Sequence, residues 1–308
     1  MSLVAFLDRF HSEDDCIAHL EAVRWPEGPR CPKCGTVGNA GRTGRPRYWQ
    51  CRACRRMFTV LHGTPLEGTH LPLRTWFAAM YLTCAASKGI SSVKLAEHLD
   101  ITQKSAWFLA QRIRRMMDDD ATLLRGVVEV DETYLGGKRR KGRASQRDPE
   151  DDQPKGRGGG RKAMVVVASE RKGKARAKRG PTHSECTIAT FVYKTVDIRR
   201  SVLVTDELPA YRWIGRKFPA HLKVNHSRKE WTRHDPLAAA VAHTNTAESF
   251  NATIKRAIIG VWHWFSIKHA DRYLAEIAYR WNARSTDARL AGLFATKAAR
   301  LRWRECVA

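Results

Sequence analysis

Three acidic residues of this chain stand where strands or helices are expected to end or begin. Asp131 and Asp206 each follow a short β-branched run, and Glu248 lies at the opening of an amphipathic helical stretch. Phosphodiester hydrolysis and transfer are commonly catalysed by two divalent cations about 3.5–4 Å apart, held by a few carboxylates. Mg²⁺ prefers such oxygen ligands and keeps positions open for substrate phosphate. The three carboxylates therefore predict a site for two Mg²⁺ or Mn²⁺ ions.

Glu248 also has a purely structural interpretation. Asn245 is a good helix N-cap, and Glu248 would then take the third helical position, where a capping-box glutamate bonds back to the cap's own N–H. Lys255 favours the catalytic interpretation, because it follows Glu248 by about two helical turns and shares its face. An acid at the start of a helix and a cation further along that face suit a metal site beside DNA phosphate.

Four of the eight cysteines are spaced for zinc. Cys31 and Cys34, then Cys51 and Cys54, form two C-x₂-C knuckles separated by 16 residues. Four thiolates at this spacing can close one tetrahedral, structural Zn²⁺ site. Strands expected at 47–50 and 57–60 complete the pattern of a zinc ribbon, with a redox dithiol pair as the alternative. The remaining cysteines are expected to be small core residues: Cys16, Cys84, Cys186 and Cys306.

The composition indicates a polyanionic partner. The 308 residues, enough for two domains or more, include 55 Lys and Arg against 31 Asp and Glu, a formal charge of +24. This excess favours nucleic acid, with a ribosome-like or simply basic protein as the alternative. We find no signal peptide and no apolar run near the roughly 18–20 residues of a membrane span. We therefore expect a cytoplasmic protein whose cysteines are reduced or metal-bound.

A pair of helices after the cysteines predicts a helix-turn-helix. An apolar helix is expected at 73–87, then helices at 92–99 and 103–117 joined by a turn at 100–102. The first turns of the second helix are where such a motif meets bases. The alternative is an ordinary helical hairpin with a solvated basic face. The predicted base contacts are Gln103, Lys104, Ser105 and Trp107, and the predicted phosphate contacts are Arg112, Arg114 and Arg115.

The second half of the chain predicts an α/β domain with the layout of a ribonuclease H-like fold. Strands are expected at 127–135, 163–169, near 187–193 and at 201–204, followed by the Glu248 helix. The first and last of these strands carry Asp131 and Asp206. We expect a linker at 118–120 before the domain. A further helix near its end has an apolar stripe that would pack on the sheet, formed by Ala270, Tyr273, Ile277 and Trp281.

A basic insertion interrupts this domain at 136–162. From 138 to 179 the chain has 16 basic against 5 acidic residues, which suits contact with the phosphate backbone; a merely solvated basic loop is the alternative. The predicted domains are a ribbon segment at 1–68, a helix-turn-helix domain at 69–120, the catalytic domain at 121–285 and a C-terminal helix at 286–308.

Several motifs give the chain a specific resemblance. They are VDETY at 130–134, TDEL at 205–208 with Tyr211, and HTNTAESF at 243–250, continued by KR at 255–256, RYL at 272–274 and RWN at 280–282. The chain resembles insertion-sequence transposases of the DDE type, in the branch with an N-terminal zinc ribbon and an ISXO-like catalytic domain. The resemblance covers nearly the whole chain and departs at Asn251, where a bulky aromatic is expected. That departure is expected to affect packing or DNA contact and not the metal chemistry.

The resemblance implies the site residues and the reaction. Asp131, Asp206 and Glu248 would be the metal ligands, and Lys255 the basic residue that follows the glutamate; we add the neighbouring Arg256 as a DNA contact. Water would cut a strand at the terminal inverted repeat of the element, and the freed 3′-hydroxyl would attack target DNA. The implied partner is double-stranded DNA, bound by a homo-oligomer in the bacterial nucleoid.

Aromatic residues after the Glu248 helix have two interpretations of equal weight. They would either stack on unpaired terminal bases or fill a corner between two helices. The residues concerned are Trp262, His263, Trp264, Phe265 and His269.

Two rival functions remain open from the sequence. One is a transcription regulator with a zinc ribbon and a helix-turn-helix, which leaves the three placed carboxylates and Lys255 without a role. The other is a catalytically silent transposase derivative that binds DNA without cutting it. A metal-dependent cleavage assay on DNA carrying the cognate ends separates an enzyme from both.

Overall fold

The computed structural model of the chain describes residues 1–118, 122–136, 162–182, 184–225, 232–235 and 240–295. Its contacts divide the chain into two units, Met1–Asp118 with Ala283–Ala308, and Asp119–Asn282. Almost all of the expected insertion at 136–162, two residues of the expected linker and the last part of the expected C-terminal helix lie outside the described residues. The ribbon and the helices that follow it share the first unit, and their division at residue 68 stays a prediction.

The secondary structure alternates helical and β segments along the chain. No helix within the described ranges is long and apolar enough to cross a membrane. The helices are α1 (Leu3–Arg9), α2 (Glu13–Arg24), α3 (Leu73–Ala85), α4 (Ser92–Leu99), α5 (Gln103–Met116), α6 (Glu185–Thr195), α7 (Tyr211–Gly215), α8 (Asn245–Ala257), α9 (Ala270–Asn282) and α10 (Thr286–Ala295). The strands are β1 (Ala40–Arg42), β2 (Trp49–Cys51), β3 (Met57–Phe58), β4 (Leu124–Leu135), β5 (Ala163–Glu170), β6 (Ala175–Arg179), β7 (Val196–Asp206), β8 (Ala220–Val224), β9 (Arg233–Asp235) and β10 (Ala240–Ala242).

Short polar side chains begin the helices of the first unit. Ser12 and Asp15 form a reciprocal capping box at α2, Ser91 caps α4 and Thr102 caps α5. Asp100, at a φ of 50°, ends α4 in the left-handed conformation that redirects the chain into α5. The helices predicted at 73–87, 92–99 and 103–117 are confirmed as α3, α4 and α5, with ends that differ by two residues at most.

Buried apolar side chains hold the first unit together. Phe77 of α3 lies 4.9 Å from Phe10 and 4.7 Å from Phe294 of α10, measured between ring centroids. Leu95 of α4 and Leu109 of α5 are fully buried, and these two helices contact each other. The C-terminal helix α10 therefore packs on the N-terminal helices.

A five-stranded mixed sheet forms the second unit, in the order β6-β5-β4-β7-β8. The central strand β4 pairs antiparallel with β5 and parallel with β7, and β8 continues the parallel half. Val128 and Val130 pack with α6 and α7 on one face, whereas Val165 and Val167 pack with α8 and α9 on the other. The sheet is thus covered by helices on both faces, which explains why its central strands are so apolar.

The strand predicted near 187–193 is wrong, because this segment is the helix α6. The expectation of a core position for Cys186 is wrong as well, because this residue of α6 is exposed, whereas Cys16 and Cys84 are buried as expected. The β-branched residues of α6 suggested a strand, but Ser184 accepts the N–H of Thr187 as an N-cap, and Ile188 and Val192 are buried one turn apart. The third strand of the large sheet along the chain is instead β6, which lies inside the basic stretch that was interpreted as a contact for the phosphate backbone. Its small alanines, such as Ala175, face inward between basic residues and give only a weak apolar signal.

Candidate active site

The four predicted zinc ligands form one cluster. Their Sγ atoms all lie within 4.8 Å of one another. The Sγ–Sγ distance is 3.5 Å between Cys31 and Cys54 and 3.6 Å between Cys34 and Cys51. Four Zn–S bonds of about 2.3 Å in a tetrahedron require S–S separations of about 3.8 Å. The donor set and its spacing therefore fit a structural Zn²⁺, and the predicted cluster is confirmed.

The two cysteine knuckles share one backbone geometry. The N–H of Gly35 donates to the carbonyl of Cys31 at 3.0 Å, and the N–H of Arg55 donates to that of Cys51 at 2.9 Å. Gly35 and Arg55 have positive φ values of 75° and 57°, which close the two turns. Hydrogen bonds from Thr36 lower the pKa of the Cys34 thiol to about 6. Burial and hydrogen bonds to the other three cysteines raise the pKa of the Cys54 thiol to about 11, so the shift toward the thiolate does not extend to Cys54.

Aromatic packing connects the ribbon to the helix before it. Trp25, at the end of α2, lies edge-on to Trp49 at 6.1 Å and to Phe58 at 5.7 Å. Glu21 of α2 accepts a hydrogen bond from the Trp49 indole at 2.8 Å and pairs with Arg42 of β1 at 2.6 Å. The three-stranded sheet β1-β2-β3 thus gains a small apolar core that a ribbon of this size lacks by itself.

Asp131 and Asp206 lie at the same level of two neighbouring parallel strands. Glu129 of β4 pairs with Val204 of β7, and each aspartate follows two residues further along its strand. Because side chains alternate across a sheet, both aspartates lie on the face that α8 covers. Glu248 stands in the first turn of α8 and contributes to the electrostatic field at Asp131. The fold thus brings the three predicted carboxylates to one region.

Asp131 is held by two hydrogen bonds. Its Oδ1 accepts the backbone N–H of Glu132 at 2.8 Å, and its Oδ2 accepts the side-chain N–H of Asn251 at 2.8 Å. Burial raises the pKa of Asp131 to about 6, and the nearby charges of Asp206 and Glu248 add to the rise. Asn251 was expected to affect packing or DNA contact and not the metal chemistry, but its amide contacts a predicted metal ligand.

Glu132 and Tyr211 form a second polar contact beside the aspartates. The Tyr211 hydroxyl, which is fully buried, donates to the Glu132 carboxylate. Burial raises the pKa of Glu132 to about 8, with further contributions from Asp206 and Asp131. This contact ties β4 to the segment that follows Asp206. Both residues belong to motifs that carried the resemblance, although no role was predicted for either.

The structural interpretation of Glu248 as a capping-box residue does not match the helix start. The N-cap is Thr244 and not Asn245, so Glu248 is the fourth helical residue. Its Oε1 accepts the Thr244 hydroxyl at 3.0 Å. Glu129 was missed by the sequence reasoning: this buried glutamate of β4 accepts the N–H groups of Thr246 and Ala247 at the helix start. Its only sequence signal is a carboxylate inside an apolar strand.

The carboxylates fit divalent cations by chemistry and surroundings. They are hard oxygen donors, and in the described part of the chain neither Asp131 nor Asp206 has an ion-pair partner to neutralise its charge. Within the same residues, the four cysteines are the only group of three or more metal-ligating side chains whose ligand atoms lie close together. The assignment of the carboxylates as ligands therefore stays a prediction that rests on their shared location and charge.

The other predicted DNA contacts are mostly placed on the surface. Lys255 and Arg256 of α8 are exposed, as are Gln103 and Lys104 of α5. Gln103 donates to the Ser92 hydroxyl at 3.0 Å. The remaining base contacts of the prediction, Ser105 and Trp107, are half-buried, and the phosphate contact predicted at Arg115 is exposed.

Arg112 does not fit a phosphate contact. Its side chain is buried, its Nη2 donates to the carbonyl of Glu67 at 2.7 Å, and its guanidinium lies 5.0 Å from the Trp76 ring. Arg114 is likewise buried. Both arginines were predicted to contact phosphate from the basic face of α5, but their whole side chains are buried inside the first unit.

Some of the aromatic residues after α8 are packed against other side chains, and the others are exposed to solvent. Phe265 stacks on Tyr273 at 4.3 Å, and Trp262 lies 4.9 Å from the same tyrosine. His269 is also buried. Trp264, in contrast, is 75% exposed, and His263 is exposed with a positive φ of 56°. The corner interpretation thus holds for three of the five residues, whereas Trp264 is available for stacking.

Comparison with known proteins returns transposase domains for both parts of the chain. The transposase zinc-ribbon domain matches residues 11–57, and the ISXO2-like transposase domain matches residues 123–282. A cysteine cluster of zinc-ribbon type ahead of a mixed α/β unit is the arrangement that these matches predict. The chain belongs to the ISXO2-like transposase family, as the resemblance predicted.

The chain was also compared with curated proteins and with solved structures. An uncharacterized protein in transposable element ISH50 of Halobacterium salinarum is 31% identical over 148 residues. The match covers 47% of this chain and 47% of that protein, so the chain spans about half the length of the relative. No solved structure matches the chain with statistical significance.

Proposed function

We propose that this chain is an active transposase that binds the terminal inverted repeats of an insertion sequence and catalyses strand cleavage and strand transfer. Cleavage hydrolyses a phosphodiester at the element end and leaves a 3′-hydroxyl. In strand transfer, that oxygen bonds to a phosphorus of the target and displaces the neighbouring target 3′-oxygen. Because an element has two ends, we expect a homo-oligomer on DNA.

The topology supports a ribonuclease H-like catalytic domain. Numbered along the chain, the strands of the large sheet lie in the order 3-2-1-4-5, with the first three antiparallel and the last two parallel. Helices cover both faces. In the first unit, α4 and α5 with the left-handed turn at Asp100 support a helix-turn-helix.

One observation carries the proposal: three carboxylates from distant parts of the sequence share one region of the second unit. Asp131 and Asp206 are level on the adjacent parallel strands β4 and β7. Glu248 lies on α8, which is hydrogen-bonded to β4 through Glu129 of the strand and Asn251 of the helix. A regulator that only binds DNA has no need to bring carboxylates together, because the repulsion between their charges, which Asp131 feels from Asp206 and Glu248, costs free energy.

Each residue has a definite task in the proposed site. Asp131, Asp206 and Glu248 hold the divalent cations. When bound, two Mg²⁺ or Mn²⁺ ions supply an activated nucleophile and stabilise the leaving oxygen. Asn251 fixes the orientation of the Asp131 carboxylate. Lys255, exposed two turns beyond Glu248, contacts the DNA phosphate, and Arg256 supports it.

The deciding experiment compares Glu248→Gln with wild type on supercoiled plasmid that carries the element ends. Glutamine keeps the shape and can still accept the Thr244 hydroxyl, but it removes the charge. We expect the variant to fold and bind the ends, and to lose strand cleavage by at least as much as Asp131→Asn.

A carboxylate of the same strand as Asp206 provides the control. Asp197 lies at the other end of β7 and pairs with Arg125 at 3.2 Å, so Asp197→Asn makes the same chemical change away from the site. Cleavage by Glu248→Gln at a rate near wild type would show that the third ligand lies elsewhere. Wild-type protein that binds the ends in Mg²⁺ or Mn²⁺ without cutting them would indicate a silent derivative.

A further inference from the structure

Glu129 connects the strand of Asp131 to the helix of Glu248. Its side chain is fully buried, and it lies two residues before Asp131 on the same face of β4. Its Oε2 accepts the backbone N–H of Thr246 at 2.7 Å and that of Ala247 at 3.0 Å. A carboxylate from a distant strand therefore binds the first turn of α8.

This contact takes the place of a local cap. The first N–H groups of a helix have no partner inside the helix. Thr244, the N-cap residue of α8, makes no side-chain cap bond, and its hydroxyl donates to Glu248. Glu129 satisfies two of the N–H groups, and its negative charge is favourable at the positive end of the helix dipole.

Arg171 pairs with the buried charge. Its Nε donates to Glu129 Oε1 at 2.7 Å, and its Nη2 donates to the carbonyl of His243 at 3.0 Å. The Thr246 hydroxyl donates to the same Oε1 at 3.1 Å. Burial of a carboxylate is costly without such partners. The network therefore fixes the segment before α8 as well as its first turn.

We propose that Glu129 is a positioning residue of the active site: it fixes the first turn of α8, and with it the Glu248 carboxylate, relative to Asp131. The inference rests on the proposed function, because it takes Asp131 and Glu248 as ligands of the same divalent cations. Glu248 directly follows Ala247 in the chain, so a loss of the Glu129 contacts releases the turn that carries it.

The test measures Mn²⁺ binding to the full-length, zinc-loaded protein by electron paramagnetic resonance, which needs no turnover. Glu129→Gln keeps the shape, but its amide must face either the helix N–H groups or Arg171. Loss of groups that orient metal ligands typically weakens metal binding about 10–100-fold. We expect a loss of that size in Glu129→Gln, with Asp131→Asn as the reference for a lost ligand.

A second buried glutamate of the same unit serves as the matched control. Glu276 of α9 is fully buried and pairs with Arg280 of its own helix. We expect Glu276→Gln to bind Mn²⁺ like wild type. Equal weakening in both variants would overturn the proposal, because it would indicate general destabilisation. Unchanged affinity in folded Glu129→Gln would overturn it as well.

Two further outcomes distinguish a failure of the Glu129 proposal from a failure of the proposed function. If wild type binds no Mn²⁺, or binds it no more tightly than Asp131→Asn does, the proposed function itself fails, and the role of Glu129 fails with it. If Glu129→Gln does not fold, Arg171→Gln changes the same network at a side chain that is 19% exposed. We expect weaker Mn²⁺ binding there too, and wild-type affinity would overturn the proposal.

Discussion

Both oxygens of Asp131 already accept hydrogen bonds, one from the backbone and one from Asn251. An ionised carboxylate offers about four lone-pair sites, so each oxygen keeps one for a cation. Asn251 thus lowers the cost of the charge on Asp131 and limits its rotation. The residue is buried within α8, and it stands where the family resemblance led us to expect an aromatic side chain.

We expect Asn251→Ala to reduce strand cleavage about 10–100-fold, with binding to the element ends unchanged. A hydrogen bond to a charged group contributes about 1.5–3 kcal/mol, and each 1.4 kcal/mol corresponds to a factor of about ten in rate. Cleavage rates and band-shift affinities measured on the same DNA check this. Wild-type cleavage would mean that the Asn251 contact is not used in the reaction.

At the scale of elements, the sequence was informative where apolar patterns were strong. The strands of Asp131 and Asp206 and the helices α3, α4 and α5 were predicted, because their periodicity is clear. α6 was misassigned, since the β-branched residues outweighed the N-cap signal of Ser184. Glu129 and Asn251 could not be assigned from type or spacing, because their partners lie 117 and 120 residues away.

The zinc ribbon is expected to need its metal to fold. Its own core is small, and structural zinc supplies roughly 10–16 kcal/mol in comparable modules. Cys31→Ser removes a buried ligand, so we expect loss of zinc and rapid proteolysis of the ribbon. Elemental analysis and limited proteolysis measure both effects. Cys186→Ser, at an exposed cysteine outside the cluster, should change neither; a zinc-free wild type would contradict the assignment.

The helix α5 is expected to read the element ends. Replacing Lys104 and Trp107 together by Ala should weaken binding to the ends more than binding to random duplex, since base contacts specify whereas phosphate contacts do not. Competition band shifts on the two DNAs measure the ratio. Lys94→Ala on α4, where Lys94 pairs with Glu97 at 2.7 Å, controls for the loss of one charge. Equal losses on both DNAs would argue against a recognition helix.

At the scale of the whole molecule, charge decides how the chain meets DNA. The formal charge of +24 is large for 308 residues, and basic residues concentrate between 138 and 179 as well as on α5. Each phosphate that a cation neutralises releases counterions, so affinity for any duplex must fall as salt rises. The region around Asp131 and Asp206 is negatively charged, although the protein as a whole is positive. A site that binds cations is expected to have such a local negative charge.

We therefore expect DNA affinity to fall by about 10³–10⁵ between 50 and 200 mM salt if 6–10 phosphates are contacted, with a log–log slope of about −5 to −9. Lys255→Ala should make this slope shallower by about one, because a lysine on a phosphate accounts for one released counterion. Lys88→Ala removes an exposed cation that is not among the predicted DNA contacts, and it should leave the slope unchanged. Titrations at several salt concentrations on random duplex measure all three slopes. A slope near zero for wild type would contradict binding driven by phosphate, and equal slopes for Lys255→Ala and wild type would place Lys255 away from the DNA.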